Sequence, residues 1–413
     1  QGEYSELSDS ISPRLSASFG NNWSTGAGEF GIVLSGSYSK QEATSFRPRV
    51  DRDGGLVENV NAQVIRNGGA PEDVATSRPA AQAFDFVGIQ FLNQELENFE
   101  YRTINFAGTL EWAPSDNLKF YFDTVYNDQE RRQDSSRVQG SGVSNLLNYN
   151  VPNTFQTVDF GSLDGLDLGS IEVAETGVIA VNLAADGDDP NLRFSSDTGA
   201  RLTTSEIYRL GTEFETGRFA GRVEASRSIS NTNSPDLSTT LNFINPNTPV
   251  GSGNDNAVPF AYDLSGGSLA FGIDTNSPFA PTVEQLMDPA NVVLQAVNIG
   301  DNSTRNKQDA FRLDGSLDVA DLMPFIVSFD AGYRFNKSTS TFNDGGVNLS
   351  LSSMADSPRG TLFSELLVPG PSNFGDADGR ELFFGDFLLI DPDRAFSDPE
   401  GTLEILQQAL VAN

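Results

Sequence analysis

The chain has 413 residues, of which 57 are acidic and 26 basic, so its formal net charge is −31. This charge excludes a nucleic-acid or anionic-lipid partner held by bulk attraction, because both would be repelled. The sequence contains no cysteine and no histidine, which excludes disulfide frameworks, thiolate zinc sites, cysteine nucleophiles and histidine-based catalytic triads. No apolar run approaches the ~18–20 residues of a membrane-spanning helix. Thirty phenylalanines and 39 glycines favour β structure with many turns.

A first β-hairpin is predicted over residues 12–44 from the alternation of apolar and polar side chains. Apolar residues recur at alternate positions on both sides of a Gly-rich link at residues 24–28. They are Leu15, Ala17, Phe19 and Trp23 on the first strand, and Phe30, Ile32, Leu34 and Tyr38 on the second. The hairpin therefore has one apolar and one polar face.

Three further hairpins are predicted near residues 100–132, 203–230 and 307–340, each with a short link. Their alternating apolar residues are Ile104, Phe106, Leu110, Trp112, Phe120 and Phe122, then Tyr208, Leu210, Phe214, Phe219, Val223 and Ala225, and finally Phe311, Leu313, Leu317, Phe325, Val327, Phe329, Ala331, Tyr333 and Phe335. The eight strands are ~10–15 residues long, which exceeds the ~5–6 residues typical of soluble sheets.

Four long stretches rich in Asn, Asp, Gly, Ser and Pro follow the hairpins, at residues 45–99, 133–202, 231–305 and 341–413. Each far exceeds the ~12–15 residues of an ordinary structureless loop. We expect short helices within them at Asp288-Pro289 and Asp398-Pro399, where an N-cap aspartate precedes a proline. We expect no strand from residues 231–305. Very short and very long connections therefore alternate along the chain.

The polar faces of the hairpins carry many charges, which a dry sandwich core would not tolerate but a water-filled lumen would. These polar residues include Arg14, Asn105, Glu111, Lys119, Asp123, Arg222, Glu224, Arg312, Asp314, Asp330 and Arg334. With the long strands and the alternating connections, they predict an all-β fold: a segment of an antiparallel transmembrane β-barrel. Its short turns would be periplasmic and its long loops extracellular.

Aromatic side chains flank the predicted short turns, where an interfacial girdle of a membrane barrel belongs. We predict that the membrane-interface aromatics are Trp23, Phe30, Trp112, Phe120, Phe214, Phe219 and Phe325. Partners of this surface would then be outer-membrane lipids.

A soluble or secreted β-rich protein with an adhesion or carbohydrate-binding role remains the alternative, since antiparallel sandwiches also alternate. The two readings differ in one respect. A lipid-facing band must stay uncharged across all the strands, and an adhesin need not meet this condition. Glu206 and Arg227, at the outer ends of their strands, are the charges that do not fit an uncharged band.

The N-terminal part resembles a known family. Residues 2–14 (GEYSELSDSISPR), the strand at 15–22, the Gly-rich turn and residues 29–38 (EFGIVLSGSY) resemble the early barrel of TonB-dependent outer-membrane receptors, in particular the large receptors of Caulobacter- and Xanthomonas-type proteobacteria. Residues 101–123, with the turn at 113–118, show a similar strand-turn-strand pattern. The likeness covers residues 1–132 and falls to the level of pattern at 200–230 and 306–340.

This resemblance implies a 22-stranded barrel with an N-terminal plug in the outer membrane of a Gram-negative cell. It also implies active import of a scarce nutrient, energised by the TonB complex. An oligosaccharide is the first expectation for the ligand and a siderophore the second. Within this family, residues 1–413 are expected to be an internal barrel segment of about eight or nine strands, without the plug domain through which TonB is contacted.

No residue pattern marks a catalytic centre, so we expect no enzyme activity, no cofactor and no dedicated metal site. The clusters Asp186–Asp189 and Asp376–Asp378 are read as solvated acidic loops, although their oxygen-rich spacing leaves calcium binding open. Ligand-binding residues are not identifiable from the sequence. The loop aromatics are expected mainly to pack against one another; they are Phe84, Phe86, Phe91, Tyr149, Phe155, Phe243, Phe260, Tyr262, Phe271, Phe374, Phe383, Phe384 and Phe387.

Overall fold

The architecture is taken from a computed structural model of the chain. It describes residues 2–5, 8–57, 84–141, 150–179, 181, 190–248, 257–267, 269–322, 325–351, 354, 356–370 and 386–413. No helix among these residues is both long enough and apolar enough to cross a membrane.

Strands dominate the described part of the chain. In chain order they are β1 (Gly2–Ser5), β2 (Ser10–Thr25), β3 (Gly28–Val57), β4 (Phe86–Ser115), β5 (Leu118–Ser141), β6 (Asn150–Asp159), β7 (Ser162–Leu163), β8 (Leu166–Asp167), β9 (Ser170–Ile179), β10 (Asn191–Thr216), β11 (Phe219–Phe243), β12 (Phe260–Asp263), β13 (Ala270–Ile273), β14 (Val292–Asp318), β15 (Ser328–Asn343), β16 (Gly346–Ser350), β17 (Leu367–Pro369) and β18 (Leu388–Ile390). The helices are α1 (Val283–Leu286), α2 (Pro392–Ser397) and α3 (Pro399–Ala412).

One sheet of 14 strands contains all the long strands, in the order β1-β2-β3-β4-β5-β10-β11-β14-β15. Every pair along this path is antiparallel, which confirms the all-β antiparallel fold class. A two-residue contact between β4 and β9 is parallel. Among the described residues, the first and last strands of this path do not pair with each other, so the sheet is open.

The four predicted hairpins form, three of them with the expected short connections. β2–β3, β4–β5 and β10–β11 are joined by two residues each, and β14–β15 by a longer link. In the first turn Gly28 has φ +113°, and a Cβ there would overlap the backbone of Ala113 on β4. This turn therefore requires glycine both for its backbone angle and for the close approach of the next hairpin.

The long strands continue well past the predicted hairpin ends. β3 and β4 remain paired from Glu29–Ala113 to Val57–Phe86, inside the stretch predicted as loop 45–99. Likewise β11 and β14 extend into residues 231–305, which also contain β12 and β13. The expectation of no strand there is wrong. Distal strand residues are covered by loops, so their side chains lose the simple polar–apolar alternation on which the prediction depended.

A hydrophobic core lies at the loop end of the sheet, on the same side as the apolar residues near the short turns. Sheet residues such as Leu96, Val138 and Phe194 are buried there beneath the later loops. Phe387 stacks on Phe194 with ring centroids 5.2 Å apart. The predicted helix at Asp398-Pro399 is confirmed as α3, whereas Asp288-Pro289 begins only a single 3-10 turn.

Candidate functional site

Strand register divides the side chains near the short turns into two faces. Trp23 lies opposite Phe30, Phe30 opposite Trp112, and Trp112 opposite Phe120. Side chains two residues apart on each strand share a face with this row. We call this surface the apolar face. Its residues are Leu15, Ala17, Phe19, Asn21 and Trp23 on β2; Phe30, Ile32, Leu34, Gly36 and Tyr38 on β3; Ile104, Phe106, Gly108, Leu110 and Trp112 on β4; Phe120, Phe122, Thr124 and Tyr126 on β5; Tyr208, Leu210, Thr212 and Phe214 on β10; Phe219, Gly221, Val223 and Ala225 on β11; Phe311, Leu313, Gly315 and Leu317 on β14; and Phe329, Ala331, Tyr333 and Phe335 on β15.

No position of the apolar face carries a charge, although many of its large side chains are exposed. Phe19 is 58% exposed and Leu210 is 60% exposed. Going from the short turns toward the loops, the first charged residues on this face are Lys40, Arg102, Asp128, Glu206, Arg227, Asp309 and Lys337 on the seven strands β3 to β15 of the path. The uncharged region therefore spans seven to nine residues of each strand.

The edge of this uncharged region that lies toward the loops runs obliquely across the strand register. Arg102 pairs with Glu130, whereas the first charge on β5, Asp128, lies two residue pairs nearer the short turns. The same displacement of two pairs recurs from β5 to β10 and from β10 to β11. An oblique edge of this kind is expected where strands tilt relative to a horizontal layer.

Four of the aromatics assigned to a membrane interface form one stacked row across four strands. Ring centroids are 5.8 Å apart for Trp23–Phe30, 6.0 Å for Phe30–Trp112 and 5.3 Å for Trp112–Phe120. The indole N–H of Trp112 donates to the Ala27 carbonyl in the first turn. These four residues, assigned from the sequence, therefore lie together at the short-turn edge of the apolar face.

The other three assigned aromatics are arranged differently. Phe214 and Phe219 pack at 5.7 Å across the β10–β11 turn. Phe325 lies in the link before β15, not on a strand, and is 98% exposed. β15 starts at Ser328 because the Val319 N–H donates to the Val327 carbonyl and closes a longer link than predicted.

The opposite side of the same strands, which we call the charged face, holds a continuous ionic network. Lys119 Nζ on β5 lies 3.4 Å from carboxylates of both Glu111 on β4 and Glu213 on β10. Glu213 in turn lies 3.7 Å from Arg222 on β11. Four neighbouring strands are therefore linked by alternating charges.

Tyr121 is the centre of this network. Its hydroxyl donates to Glu224 at 2.7 Å and accepts from Arg222 at 2.9 Å. The ring lies across Gly211 on the intervening strand, where any Cβ would overlap it. Glycine on β10 therefore lets a tyrosine of β5 reach a carboxylate on β11, two strands away.

Other members of the charged face form further contacts. Arg209 lies 3.7 Å from Asp123, which accepts from Thr109 at 2.9 Å. Arg312 contacts Asp314 on β14. Of the other polar residues named from the sequence, Arg14 lies apart, 3.7 Å from Glu3, and Asn105 bonds Ser37 and Asn127.

A groove of about 690 Å³ runs along the charged face beside the short turns, lined by residues of β5, β10, β11, β14 and β15. The groove itself is acidic, because Lys119 and Arg222 are outnumbered by the carboxylates of Asp116, Glu213, Glu215, Asp314 and Asp330. Arg209, Arg312, Arg334, Glu111, Asp123 and Glu224 lie on the same face outside this groove. Such a wall offers hydrogen bonds to water and to neutral polar solutes, and its net negative charge disfavours anions.

A second groove, of about 520 Å³, lies on the same side nearer the loops. Burial raises the pKa of Asp197 there, although Arg137 and a Ser238 hydrogen bond oppose the shift. Burial also raises the pKa of Asp236. The carboxylate of Glu97, only 6% exposed, contacts Arg47. This groove is therefore acidic and partly desolvated.

The acidic clusters at 186–189 and 376–378 lie outside the described residues. Within the described ranges, no group of three or more acidic side chains is placed to hold a metal ion. Among the loop aromatics, Phe86, Phe243, Phe260, Tyr262, Phe271 and Phe387 are buried in the core, as their predicted role in loop packing requires. Tyr149, Phe374, Phe383 and Phe384 lie outside the described residues.

Several residues of the two faces were not singled out from the sequence. Tyr121, Arg209 and Glu213 share the alternation of the charged face, and that signal was available. Gly211 was not recognisable, because its role depends on which strand lies between β5 and β11. No local pattern reveals that β5 pairs with β10 across 49 intervening residues.

Comparisons with known proteins give no family assignment. No protein-family model, curated protein or solved structure that was searched matches the chain.

Proposed function

We propose that this chain forms part of the membrane-spanning barrel wall of an outer-membrane importer of the TonB-dependent receptor type. In this proposal the apolar face contacts lipid, the charged face borders a water-filled lumen, and the long loops lie outside the cell. The observation that carries the proposal is the uncharged face that continues across eight strands and is backed by a charged face on the same strands.

The exposed apolar area supports a lipid environment over water. Soluble monomers rarely expose contiguous apolar patches larger than a few hundred Å². Here the exposed apolar-face side chains include Leu15, Phe19, Trp23, Phe106, Leu110, Trp112, Phe122, Tyr208, Leu210, Phe219, Phe311, Leu313, Leu317, Phe329, Tyr333 and Phe335. Transmembrane strands need ~9–11 tilted residues, and seven to nine uncharged residues with the adjoining turns approach this length.

The open sheet also bears on the proposal. Unpaired backbone groups at a sheet edge cannot be satisfied by hydrocarbon, so a membrane sheet must close into a barrel. β2 and β15 each lack a partner on one side over most of their described length. In the membrane, further strands would therefore have to pair with both.

The proposed cargo is a scarce nutrient, with an oligosaccharide first and a siderophore second, as the sequence resemblance implies. The acidic groove wall supports a neutral, hydroxyl-rich solute over an anionic one, because carboxylates accept hydrogen bonds from hydroxyls and repel anions. The N-terminal likeness also implies energy supplied through the TonB complex.

A secreted or surface-attached β-rich adhesion or carbohydrate-binding protein is the second candidate. The β6–β9 hairpin favours it, because its tip exposes Phe160, Leu163, Leu166 and Leu168 and contains no basic residue. Exposed apolar residues on a projecting hairpin are typical of a protein-binding surface. An adhesin of this kind would be removed from membranes by a carbonate wash, whereas a barrel wall would not.

Two matched substitutions test the membrane assignment. Phe19→Arg puts a charge on the apolar face of β2, and Ser18→Arg puts one on the opposite side at the neighbouring position; both sites are exposed. In lipid, the first costs ~2–4 kcal/mol, and the second should be close to neutral. We expect heat-modifiable folded protein in the outer-membrane fraction to fall only for Phe19→Arg. Equal amounts of folded protein for both variants would contradict the assignment.

Import itself is tested by uptake in the cells that make the protein. Radiolabelled neutral oligosaccharides of graded length should accumulate in the wild type and stop accumulating when the proton-motive force is collapsed. The same assay with ferric siderophores tests the second cargo. Uptake of both classes that is unchanged in a deletion strain would exclude the proposed transport.

A further inference from the structure

A basic patch lies directly beyond the apolar face on strands β11, β14 and β15. Arg227, Asp309 and Lys337 lie opposite one another in the first row above the uncharged region. Lys307 and then Arg305 follow on the same face of β14. The patch thus holds four cations and one anion, in a chain whose acidic residues outnumber its basic ones 57 to 26.

The cations of this patch are incompletely neutralised. Asp309 lies 2.7 Å from Arg227 and 3.3 Å from Lys307, so one carboxylate is shared between two cations. Arg305 and Lys337 are exposed and have no ion-pair partner among the described residues. Their positive charge is therefore available to a ligand.

The corresponding level of β3, β4 and β5 is different. Lys40 lies 2.6 Å from Glu42 and 3.3 Å from Glu100, and Arg102 lies 2.6 Å from Glu130. Cations at that end of the sheet are each matched by carboxylates, and Asp128 adds a further negative charge. Among the described residues that border the apolar face on its loop side, the cations without an ion-pair partner therefore lie on β14 and β15.

From this arrangement we infer that Arg227, Arg305, Lys307 and Lys337 bind the phosphate-bearing headgroup of an anionic lipid. Opposed residues on neighbouring strands are ~5 Å apart and successive residues on one face ~7 Å apart. The four cations therefore surround an area of headgroup size. The inference rests on the proposed membrane position, because acyl chains would lie on the apolar face.

The position of the patch favours a lipid over a free phosphate ion. Phe311 and Phe335 lie directly next to Asp309 and Lys337 in the row toward the short turns, and both are exposed. A ligand with a phosphate and a hydrocarbon part would contact both rows at once. Inorganic phosphate would contact only the cations, which water and salt screen strongly at an exposed site.

The test compares two double variants with the same change in charge on the same two strands. Arg305→Gln/Lys337→Gln removes the two unpaired cations of the patch. Arg312→Gln/Arg334→Gln removes two cations from the charged face of β14 and β15. Protein purified from native membranes in mild detergent is titrated with phosphatidylglycerol and phosphatidylcholine, and bound lipid is counted by native mass spectrometry.

We expect the wild type to prefer phosphatidylglycerol to phosphatidylcholine. Removing the patch cations should lower the phosphatidylglycerol affinity by roughly fivefold for each cation removed, with phosphatidylcholine unaffected. The control pair should keep the wild-type preference. Equal affinities for the two double variants would overturn the inference, as would displacement of phosphatidylglycerol by millimolar inorganic phosphate.

A separate measurement distinguishes this failure from failure of the proposed function. Trp23 and Trp112 are the two tryptophans of the chain and both lie on the apolar face. In vesicles, brominated phosphatidylcholine should quench their fluorescence in every variant. Quenching without a phosphatidylglycerol preference would overturn the lipid site alone, whereas the absence of quenching would overturn the membrane assignment and the lipid site together.

Discussion

At the residue scale, Gly211 determines whether the charged face can be continuous. The Tyr121 ring occupies the space that a side chain at position 211 would need. Only with this space free does the Tyr121 hydroxyl reach Glu224 at 2.7 Å. A glycine in a strand interior weakens the strand by itself, and it is commonly found where another group approaches closely.

Gly211→Ala should displace Tyr121 and separate its hydroxyl from Glu224. Overpacking at such a contact costs ~1–3 kcal/mol, so the free energy of unfolding in urea should fall by about that amount. Gly20→Ala is the matched control, because the nearest atom to its added Cβ is 3.7 Å away. Equal losses for both variants would show that glycine propensity alone, and not the Tyr121 contact, is responsible.

Asp197 provides a pH prediction. Because burial raises its pKa in the folded state above the ordinary value of 3.8, the folded protein binds the proton more tightly than the unfolded chain. The resulting destabilisation is absent below the ordinary pKa, grows as pH rises, and is complete above the raised pKa. Asp197→Asn should therefore be more stable than wild type at neutral pH, with the difference vanishing in acid.

Asp263→Asn is the control of opposite sign. The Ser265 hydroxyl and N–H hydrogen-bond the Asp263 carboxylate and lower its pKa. That stabilisation is present above the ordinary pKa and is lost as pH falls through the lowered value. Denaturation curves from pH 3 to pH 7 compare the two variants, and parallel pH profiles would contradict the assignment for Asp197.

At the element scale, the segment 386–413 is held to the sheet by a few large contacts. Phe387 is fully buried against Phe194. On β5, the Arg132 guanidinium lies 4.2 Å from the Phe396 ring centroid and 2.7 Å from Asp393. The first contact attaches the start of the segment, and the second attaches α2, to the loop end of the sheet.

Phe387→Ala should release this segment without unfolding the hairpins near the short turns. Truncation of a buried phenylalanine costs ~3–5 kcal/mol, so amide hydrogen exchange should accelerate in residues 386–413. Exchange in the short-turn ends of β2–β5 should stay unchanged. Phe160→Ala, at an exposed position, is the control and should alter neither region. Acceleration throughout the sheet would contradict this local role.

The elements differ in how far the sequence predicts them. Alternation identified the hairpins correctly near the short turns, where one face is apolar and the other polar. It failed beyond them, because residues such as Leu92 and Leu96 lie beneath loops that are distant in the sequence. The β6–β9 hairpin was missed although Asp164-Gly165 is a strong turn signal, since its strands lack a clear alternation.

At the scale of the whole molecule, charge differs between the two faces of the sheet and along the length of the strands. The apolar face has no charge over eight strands, the opposite face carries many charges, and the unpaired cations Arg305 and Lys337 lie beyond the apolar face on β14 and β15. The sequence predicted the first two properties through parity alone. The third depends on which carboxylates approach which cations across strands, and this information is present only in the register.

The most direct test of the central claim is a spin-label scan of β11 from Phe219 to Arg227 in native membranes or in vesicles. The chain has no cysteine, so single cysteines can be labelled one at a time. We expect collision rates with oxygen to peak at Phe219, Val223 and Ala225, and rates with a polar nickel chelate to peak at the alternate positions from Ala220 to Ser226. Equal access of the nickel chelate to both sets of positions would contradict the placement of the apolar face in lipid.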